Sequence, residues 1–509
     1  MEVKPSLVLM ILTISSIAVI WSVSALNSPF GSADSTYYAL AAMFTVNNNF
    51  IPPKSIPYLY INEIGGQPLN KPALSYVIPA VFWFLFEIDG IKMMPVVFGI
   101  LTLILIAWFS LKYYNHEVAL LSILILCSAK IYVDYTIYPH MFDSVFVFFY
   151  TLAVFSIYEA LKNGSKTIIA GVCLGLALLT KYLSLFLLVG LALYLPYLFV
   201  RKKRKEIKTI FAVVFIALIV AGPWFIRNWI YYHNPFYPFL TNIFGYDYLY
   251  PETVKLWREL QPKLSDILSF SNLLNTFELF LLFAPLGFAY LLMKPEKNLF
   301  WICIIISGVI PLLIGDIKNL RYVTNLLPLL SVFSSVLIYN ILSKFNRKII
   351  AFLIIGLFVH HIGMVNKLNT VTKIASGGRD WVPVGTDDAY RYIIENAPDD
   401  VVVMDLLTPN FVFYTQYYDN DSKRIGIFPR YFCCPELIDF WKLNKITALK
   451  VLDKYKVKYI IAETYLLMDV ENKHSIIKIP MEAVEKFIEW NFTVFYSSPH
   501  VIIFEVPEV

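Results

Sequence analysis

Long apolar runs broken by short polar connections fill the first 366 positions, and the pattern changes after them. Runs at 6–26, 93–111, 118–136, 142–161, 167–180, 182–200, 209–226, 269–293, 298–315, 323–342 and 349–366 are mostly long enough to cross a bilayer as helices. The run 167–180 is the shortest of them. The stretch 72–86, "PALSYVIPAVFWFLF", contains Pro79 and is short for a span. It predicts a helix lying at the interface, or a re-entrant one. Past residue 366 the apolar strings shorten. "DDAYRYIIENA" predicts a helix with an acidic first turn, and "DDVVVMDLL" and "KVKYIIAET" predict buried strands. "ITALKVLDKYK" predicts the helix feeding the second of these strands, and "TVFYSSPHVIIFEV" a closing hairpin. Strands alternating with helices indicate a small α/β domain. The expected fold is therefore a polytopic α-helical membrane protein of about eleven spans with a C-terminal soluble α/β domain. The expected boundaries are 1–368 for the membrane module, with a first outer loop 27–92, and 369–509 for the soluble domain.

Composition agrees: 58% of the 509 residues are hydrophobic and only 16% charged, against about 45–50% and about 25% in soluble domains. The placement of the basic residues adds an orientation. If 72–86 does not cross, then Lys112 and the segments 162–166, 201–208, 294–297 and 343–348 all fall on one side. Short loops rich in Lys and Arg mark the cytoplasmic face. The N-terminus is then cytoplasmic and the C-terminal domain lies outside, at the cell membrane. The loop 201–208 is read as a topogenic signal rather than an anionic-lipid site. A net charge of +5 gives no support to a nucleic-acid partner. Of five cysteines, Cys127, Cys173 and Cys303 fall in apolar spans as inert core residues, and adjacent Cys433 and Cys434 are poorly placed to bridge each other. The first run is long enough to span and no small-residue cleavage site follows it, which argues against a cleaved signal peptide. No internal repeat is apparent, which counts against inverted-repeat transporters.

Under that topology the polar residues of interest collect at the outer face. Asp34, in "SADSTYYAL", is either a helix N-cap or the centre of a site, with Tyr37 beside it. Asp143 opens an apolar helix from the outer side next to His140, and the two distant carboxylates could share a substrate. Lys71 taken alone reads as a snorkelling anchor. In "GPWFIRNWIYYHNPFYP" an aromatic belt explains the rings, but accounts less well for Arg227 with Asn228 between two tryptophans, or for His233. Lys181 falls between two short spans, near enough to the outer face to join a site. Arg321 and Tyr322 stand where a span begins, with Asp316 close enough to pair with Arg321. Lys71, Arg227 and Arg321 together can neutralise an anionic head group, and Arg in particular forks onto phosphate.

These segments carry a resemblance. "NKPALSYVIPAVFWFLF" (70–86), "YPHMFDSVFVFF" (138–149), "LLTKYLSLFLL" (178–188), "PWFIRNWIYYHNPFYP" (223–238) and "NLRYVTNLLPLL" (319–330), with an acidic residue in the first outer loop at Asp34, run in one order over residues 1–330. In this the chain resembles the GT-C superfamily of membrane glycosyltransferases, in the branch of protein O-mannosyltransferases, aminoarabinose transferases and their prokaryotic relatives. The resemblance implies transfer of a sugar from a polyprenyl- or dolichyl-phosphate carrier to an acceptor on the outer face; the favoured reading is a neutral hexose such as mannose, with a glycan, lipid or protein as acceptor. It implies Asp34 as the catalytic carboxylate, Asp143 as a second acidic residue of the site, and Lys71 as a contact to the carrier phosphate. Two departures withhold a substrate: Ser35 stands where protein mannosyltransferases carry Glu, and Asn70 where aminoarabinose transferases carry an acid. With no Asp-x-Asp motif in the outer loops, a divalent metal is unsupported by any motif, though not excluded. The chemistry agrees without the family. A sugar phosphate already has a good leaving group, so inverting transfer needs one base for the acceptor hydroxyl and cations for the departing phosphate. The competing classes are a transporter, which would need ionisable residues near mid-membrane, and a noncatalytic scaffold.

Overall fold

The computed structural model describes residues 5–28, 30, 33–59, 66–138, 142–164, 166–245, 263–314, 319–345, 347–374, 386–405, 408–419, 421–427, 440, 443–463, 481–498 and 501–507. His140, Asp316, Cys433, Cys434 and Asn420, the last a candidate N-glycan acceptor in "NDS", lie outside the described residues, as does the side chain of Asp34.

The chain is a multi-pass membrane protein. Helix α1 (Pro5–Leu26) is followed by α2 (Ala33–Asn47), a two-residue hairpin of β1 (Ser55–Ile56) and β2 (Gln67–Pro68), and the long α3 (Leu74–Tyr113). Then come α4 (His116–Cys127), α5 (Lys130–Ile137), α6 (Asp143–Asn163), α7 (Thr167–Leu178), α8 (Leu185–Val200) and α9 (Arg204–Tyr232). Two short helices, α10 (Thr241–Phe244) and α11 (Leu264–Ile267), precede α12 (Phe270–Phe277), α13 (Phe280–Leu292) and α14 (Pro295–Ile314). A 3-10 segment, Leu320–Leu326, leads into α15 (Leu327–Leu342), and α16 (Arg347–Ile374) is the last long apolar helix.

Among the described residues, eight helices are long and apolar enough to cross a membrane. The pairs α4–α5 and α12–α13 would raise that to ten, but each is sharply bent, by 76° and 96°. Adding α7, at 12 residues too short to span alone, accounts for the eleven apolar runs. The expected spans 118–136 and 269–293 are thus each two helices. Their polar residues explain the bends: Lys130 and Asp134 in α5, and Asn272 and Asn275 in α12, would be costly at membrane depth. The stretch 72–86 is a helix joined to the next span through a break at Glu87 (φ 50, ψ −127). The chain closes on itself there so tightly that a Cβ on Gly90 would sit 2.0 Å from the Phe82 carbonyl oxygen, so only glycine fits. Phe84, Leu85 and Phe86 remain more than half exposed.

The basic loops gather at one end of the bundle. Glu159, buried at the end of α6, accepts from Lys112 and pairs with Lys166 at 3.8 Å. Arg201 after α8 meets Glu296 of α14 at 3.0 Å. The opposite end carries a C-terminal α/β unit. Its elements are α17 (Thr386–Asn396), β3 (Val402–Asp405), α18 (Thr408–Tyr418), β4 (Ile425–Ile427), α19 (Lys445–Lys454), β5 (Val457–Glu463), α20 (Met481–Glu489), β6 (Thr493–Ser497) and β7 (Val501–Glu505). The sheet order is β4-β3-β5-β7-β6, with β4, β3 and β5 parallel, and β7 antiparallel to both β5 and β6. The strands and closing hairpin expected from the sequence are there. Buried Arg424 ties the unit together, pairing with Asp399 at 2.7 Å and Asp419 at 3.2 Å while donating to the carbonyls of Ile394 and Ala397.

This unit is seated on the membrane module through α18, which packs along α2. Phe413 meets Phe30 and Trp83 edge-on at 5.6 and 5.9 Å, Tyr414 donates to the Phe30 carbonyl, and the Gly426 N–H donates to the Tyr58 carbonyl at 3.0 Å. One apolar core runs from the sheet into α2 and the hairpin. The helix bearing Asp34 is therefore held from behind by the C-terminal unit.

Candidate active site

Helix α2 places Asp34 in its first turn, followed by Tyr37 and Tyr38, both buried. The Lys71 ammonium lies 4.2 Å from the Tyr38 ring centre and 4.8 Å from that of Tyr37, so two aromatic faces hold the cation. The Tyr37 hydroxyl donates to Asn70 Oδ1 at 3.3 Å and stands 3.3 Å from the Tyr76 hydroxyl. Tyr76 in turn accepts the Lys71 N–H at 2.9 Å. Burial pushes the Tyr37 phenol well above its ordinary pKa, which keeps it protonated as a donor to Asn70.

Tyr38 leads to the second carboxylate. Its ring stacks on Phe142, 5.7 Å away, immediately before Asp143. Asp143 is 1% exposed and its Oδ1 lies 2.5 Å from Lys181 Nζ. The ammonium comes from the turn between α7 and α8, and the same turn is tied to the Lys71 segment where the Leu74 N–H donates to the Leu179 carbonyl at 2.8 Å. Asp143 Oδ2 is buried with no hydrogen-bond partner among the described residues. The position at the start of α6 helps a carboxylate, since the helix N-terminus carries partial positive charge.

The end of α9 forms the third wall. Asn228 Nδ2 and Trp224 Nε1 both donate to the Tyr182 hydroxyl, at 3.0 and 3.4 Å, next to Lys181. Arg227 donates to the Pro53 carbonyl and to Asn228 Oδ1 at 3.1 Å, with its guanidinium 4.4 Å from the Trp224 ring centre. Tyr232 donates to the Lys54 carbonyl and accepts the Leu69 N–H at 3.3 Å. Arg227 and Tyr232 thereby clamp the two chains of the β1–β2 hairpin onto α9. His233 ends that helix as an exposed residue at φ 50.

Arg321 and Tyr322 belong to the 3-10 segment, where the Asn319 side chain accepts the Arg321 N–H at 2.9 Å and the guanidinium lies 5.5 Å from the Tyr322 ring. That segment packs against α5, α6 and α14. The sequence candidates thus fall into groups. Tyr37, Lys71, Asp143 and Lys181 come together through Tyr38 and Phe142, and Asn228 joins them through Tyr182. Arg227 serves the hairpin, and Arg321 with Tyr322 stands on the α5–α6 flank. Sequence reasoning missed Tyr76 and Tyr182 and took Asn70 only as a departure from a family pattern; the roles of all three arise from tertiary contact. Among the described residues, no three His, Cys, Asp or Glu side chains group as metal ligands.

The clamp predicts an outcome of its own. Arg227→Lys keeps the charge but loses the fork that reaches Pro53 and Asn228 together. Thermal unfolding of the purified chain should show a loss of about 1–3 kcal/mol, and an unchanged melting temperature would dismiss the clamp.

Residues 69–227 match the family described as dolichyl-phosphate-mannose-protein mannosyltransferase. The match opens at Leu69, beside Asn70 and Lys71, and closes at Arg227, so it holds Lys71, Asp143, Lys181 and Arg227. In structure, the chain is similar to ArnT from Cupriavidus metallidurans bound to undecaprenyl phosphate, with a TM-score of 0.64 at 12% identity over 97% of each chain. The fold is that of the GT-C glycosyltransferases. ArnT from the same organism in the apo state gives 0.66 at 12% identity, over 99% of this chain and 98% of that one. The archaeal oligosaccharyltransferase AglB from Archaeoglobus fulgidus, in complex with an inhibitory peptide and a dolichol-phosphate, gives 0.63 at 14% identity. It is matched over 90% of this chain and 69% of its own. Among curated proteins, none matches the chain in sequence.

Proposed function

We propose that this GT-C chain transfers a sugar, a hexose such as mannose, from a polyprenyl- or dolichyl-phosphate donor to an acceptor on the outer face of the cell membrane. One observation carries the reading. Lys71, Lys181 and Asp143 converge with the α2 helix of Asp34 at the end of the bundle that bears the α/β unit, inside the segment with the mannosyltransferase match. Lipid donor and aqueous acceptor meet at such a boundary. The Asp34 carboxylate takes the proton of the acceptor hydroxyl as its oxygen bonds to the sugar C1. The bond from C1 to the phosphate oxygen breaks, and the lipid phosphate leaves with the added charge, which Lys71 stabilises where it develops. Asp143 holds Lys181 at the same site and keeps a second cation from swinging away. Asn70, in place of an acid, supports a neutral hexose over an amino sugar.

The assay is direct: dolichyl- or undecaprenyl-phosphate mannose is given to the purified chain in lipid nanodiscs together with a cell-envelope extract that supplies the acceptor, and release of the lipid phosphate is followed. Wild type should consume one of these donors, and a chain that leaves both intact ends the reading. Orientation has a separate check. Asn491, exposed in "NFT" after α20, should accept an N-glycan in a eukaryotic host, whereas Asn163 in "NGS", beside Glu159 at the basic end, should not. A glycan at Asn163 alone would invert the topology.

A further inference from the structure

The two bends in the bundle border an open cavity of about 370 Å³ between α5, α11, α12 and the start of the 3-10 segment. That is within the range of small-molecule sites, about 300–1,000 Å³. We propose that this cavity is a subsite for a neutral saccharide, the glycan part of the acceptor; the acceptor role rests on the transferase reading above.

The lining chooses among ligand classes. Asn272, Asn275, Thr276 and Asn319 supply amides and a hydroxyl, Tyr135 an aromatic ring, and Ile131, Ile267 and Leu320 an apolar floor. A lipid tail would leave those amides unpaired on burial. A phosphate is not matched either, because Lys130, the single cation among the described lining residues, stands in the same wall as Asp134 and donates to the Asn275 carbonyl at 3.2 Å. Sugar hydroxyls each donate and accept, and amides answer both ways. Among the described residues, Asn319 uses its Oδ1 on the Arg321 N–H, leaving Nδ2 to donate. Asn272 uses its Nδ2 on the Ile267 carbonyl at 2.8 Å, leaving Oδ1 to accept. The cavity therefore presents a donor and an acceptor with orientations already fixed.

Its position ties it to the chemistry. Tyr135 lines the cavity, and its carbonyl accepts the Ser144 hydroxyl at 2.7 Å, one residue from Asp143. Asn319 lines it too, two residues before Arg321. The wall that α5 and the 3-10 segment form is thus shared between the cavity and the α6 end that carries Asp143. A glycan held there stands beside the proposed transfer site without competing for Lys71.

The probe is methyl α-mannopyranoside, added to the full chain in nanodiscs without donor and read by saturation-transfer NMR. Thr276→Val and Asn275→Leu each remove a side-chain polar group while leaving the backbone carbonyl to Lys130. Each should weaken the sugar about 3- to 10-fold. In transfer assays with the same sugar they should raise KM and leave kcat unchanged. No saturation transfer in wild type, wild-type affinity in both variants, or displacement by inorganic phosphate would each overturn the site. Donor turnover is scored separately by lipid-phosphate release. Variant-sensitive sugar binding in a chain that turns over no donor keeps the site and removes the transferase reading instead.

Discussion

Asp34→Asn should lower sugar transfer roughly 10²–10⁴-fold, the usual worth of a general base, while the protein inserts and binds donor lipid as before. The substitution separates two roles that one carboxylate can play. Asp34 lies in the first turn of α2, where a negative charge interacts with the helix dipole for about 0.3–1 kcal/mol. Asparagine caps helices about as well as aspartate, so a structural role predicts a small change in melting temperature and wild-type turnover. A base predicts the opposite: near-normal stability and a collapse in rate, because an amide cannot take the acceptor proton. Donor binding, measured by retention of radiolabelled donor lipid on the purified chain, holds the comparison to the chemical step. Wild-type turnover in the Asn variant would reduce Asp34 to a helix-end residue.

The membrane part of the fold was readable because the signal is local: an apolar run of sufficient length has few structures open to it in a bilayer. The same logic set the helix 72–86 apart from the spans by its length and Pro79, and strand alternation found β3, β5 and the β6–β7 hairpin. The bends at Ser128–Ala129 and at Glu278 escaped, because hydropathy averages across them. Lys130 and Asn272 were the available signals, single polar residues inside otherwise apolar runs. The site was legible in part. Charged residues at the ends of spans marked Lys71, Asp143 and Lys181 as candidates, since charge there is rare. Their partners were not legible, because Tyr76 and Tyr182 look like any aromatic-belt residues until the Lys71 N–H and the Asn228 amide are seen to reach their hydroxyls. Nor could sequence alone distribute the three cations. Arg227 faces the Pro53 carbonyl rather than open space, because the hairpin that needs it lies some 170 positions earlier.

The second large effect is expected at Asp143 and Lys181, and it distinguishes a structural pair from a working one. Asp143 is buried and Lys181 nearly so, at 1% and 17% side-chain exposure. Removing one partner strands the other charge, which typically costs 3–5 kcal/mol, whereas replacing both by neutral groups is often close to neutral. Lys181→Met and Asp143→Asn should therefore each lower the melting temperature sharply, and the double variant should regain most of the loss. The coupling in this cycle should be large because the two groups are in contact. Activity decides the rest. If the pair only holds α6 to the turn before α8, turnover returns with stability in the double variant. If Lys181 helps stabilise the departing phosphate, the double variant is as stable as wild type and still slow, since neither neutral side chain offers a cation where charge develops. The transferase reading expects the second outcome: recovered melting temperature and a kcat that stays at least tenfold down. Full recovery of both would make Asp143–Lys181 a structural bond and leave Lys71 to hold the phosphate.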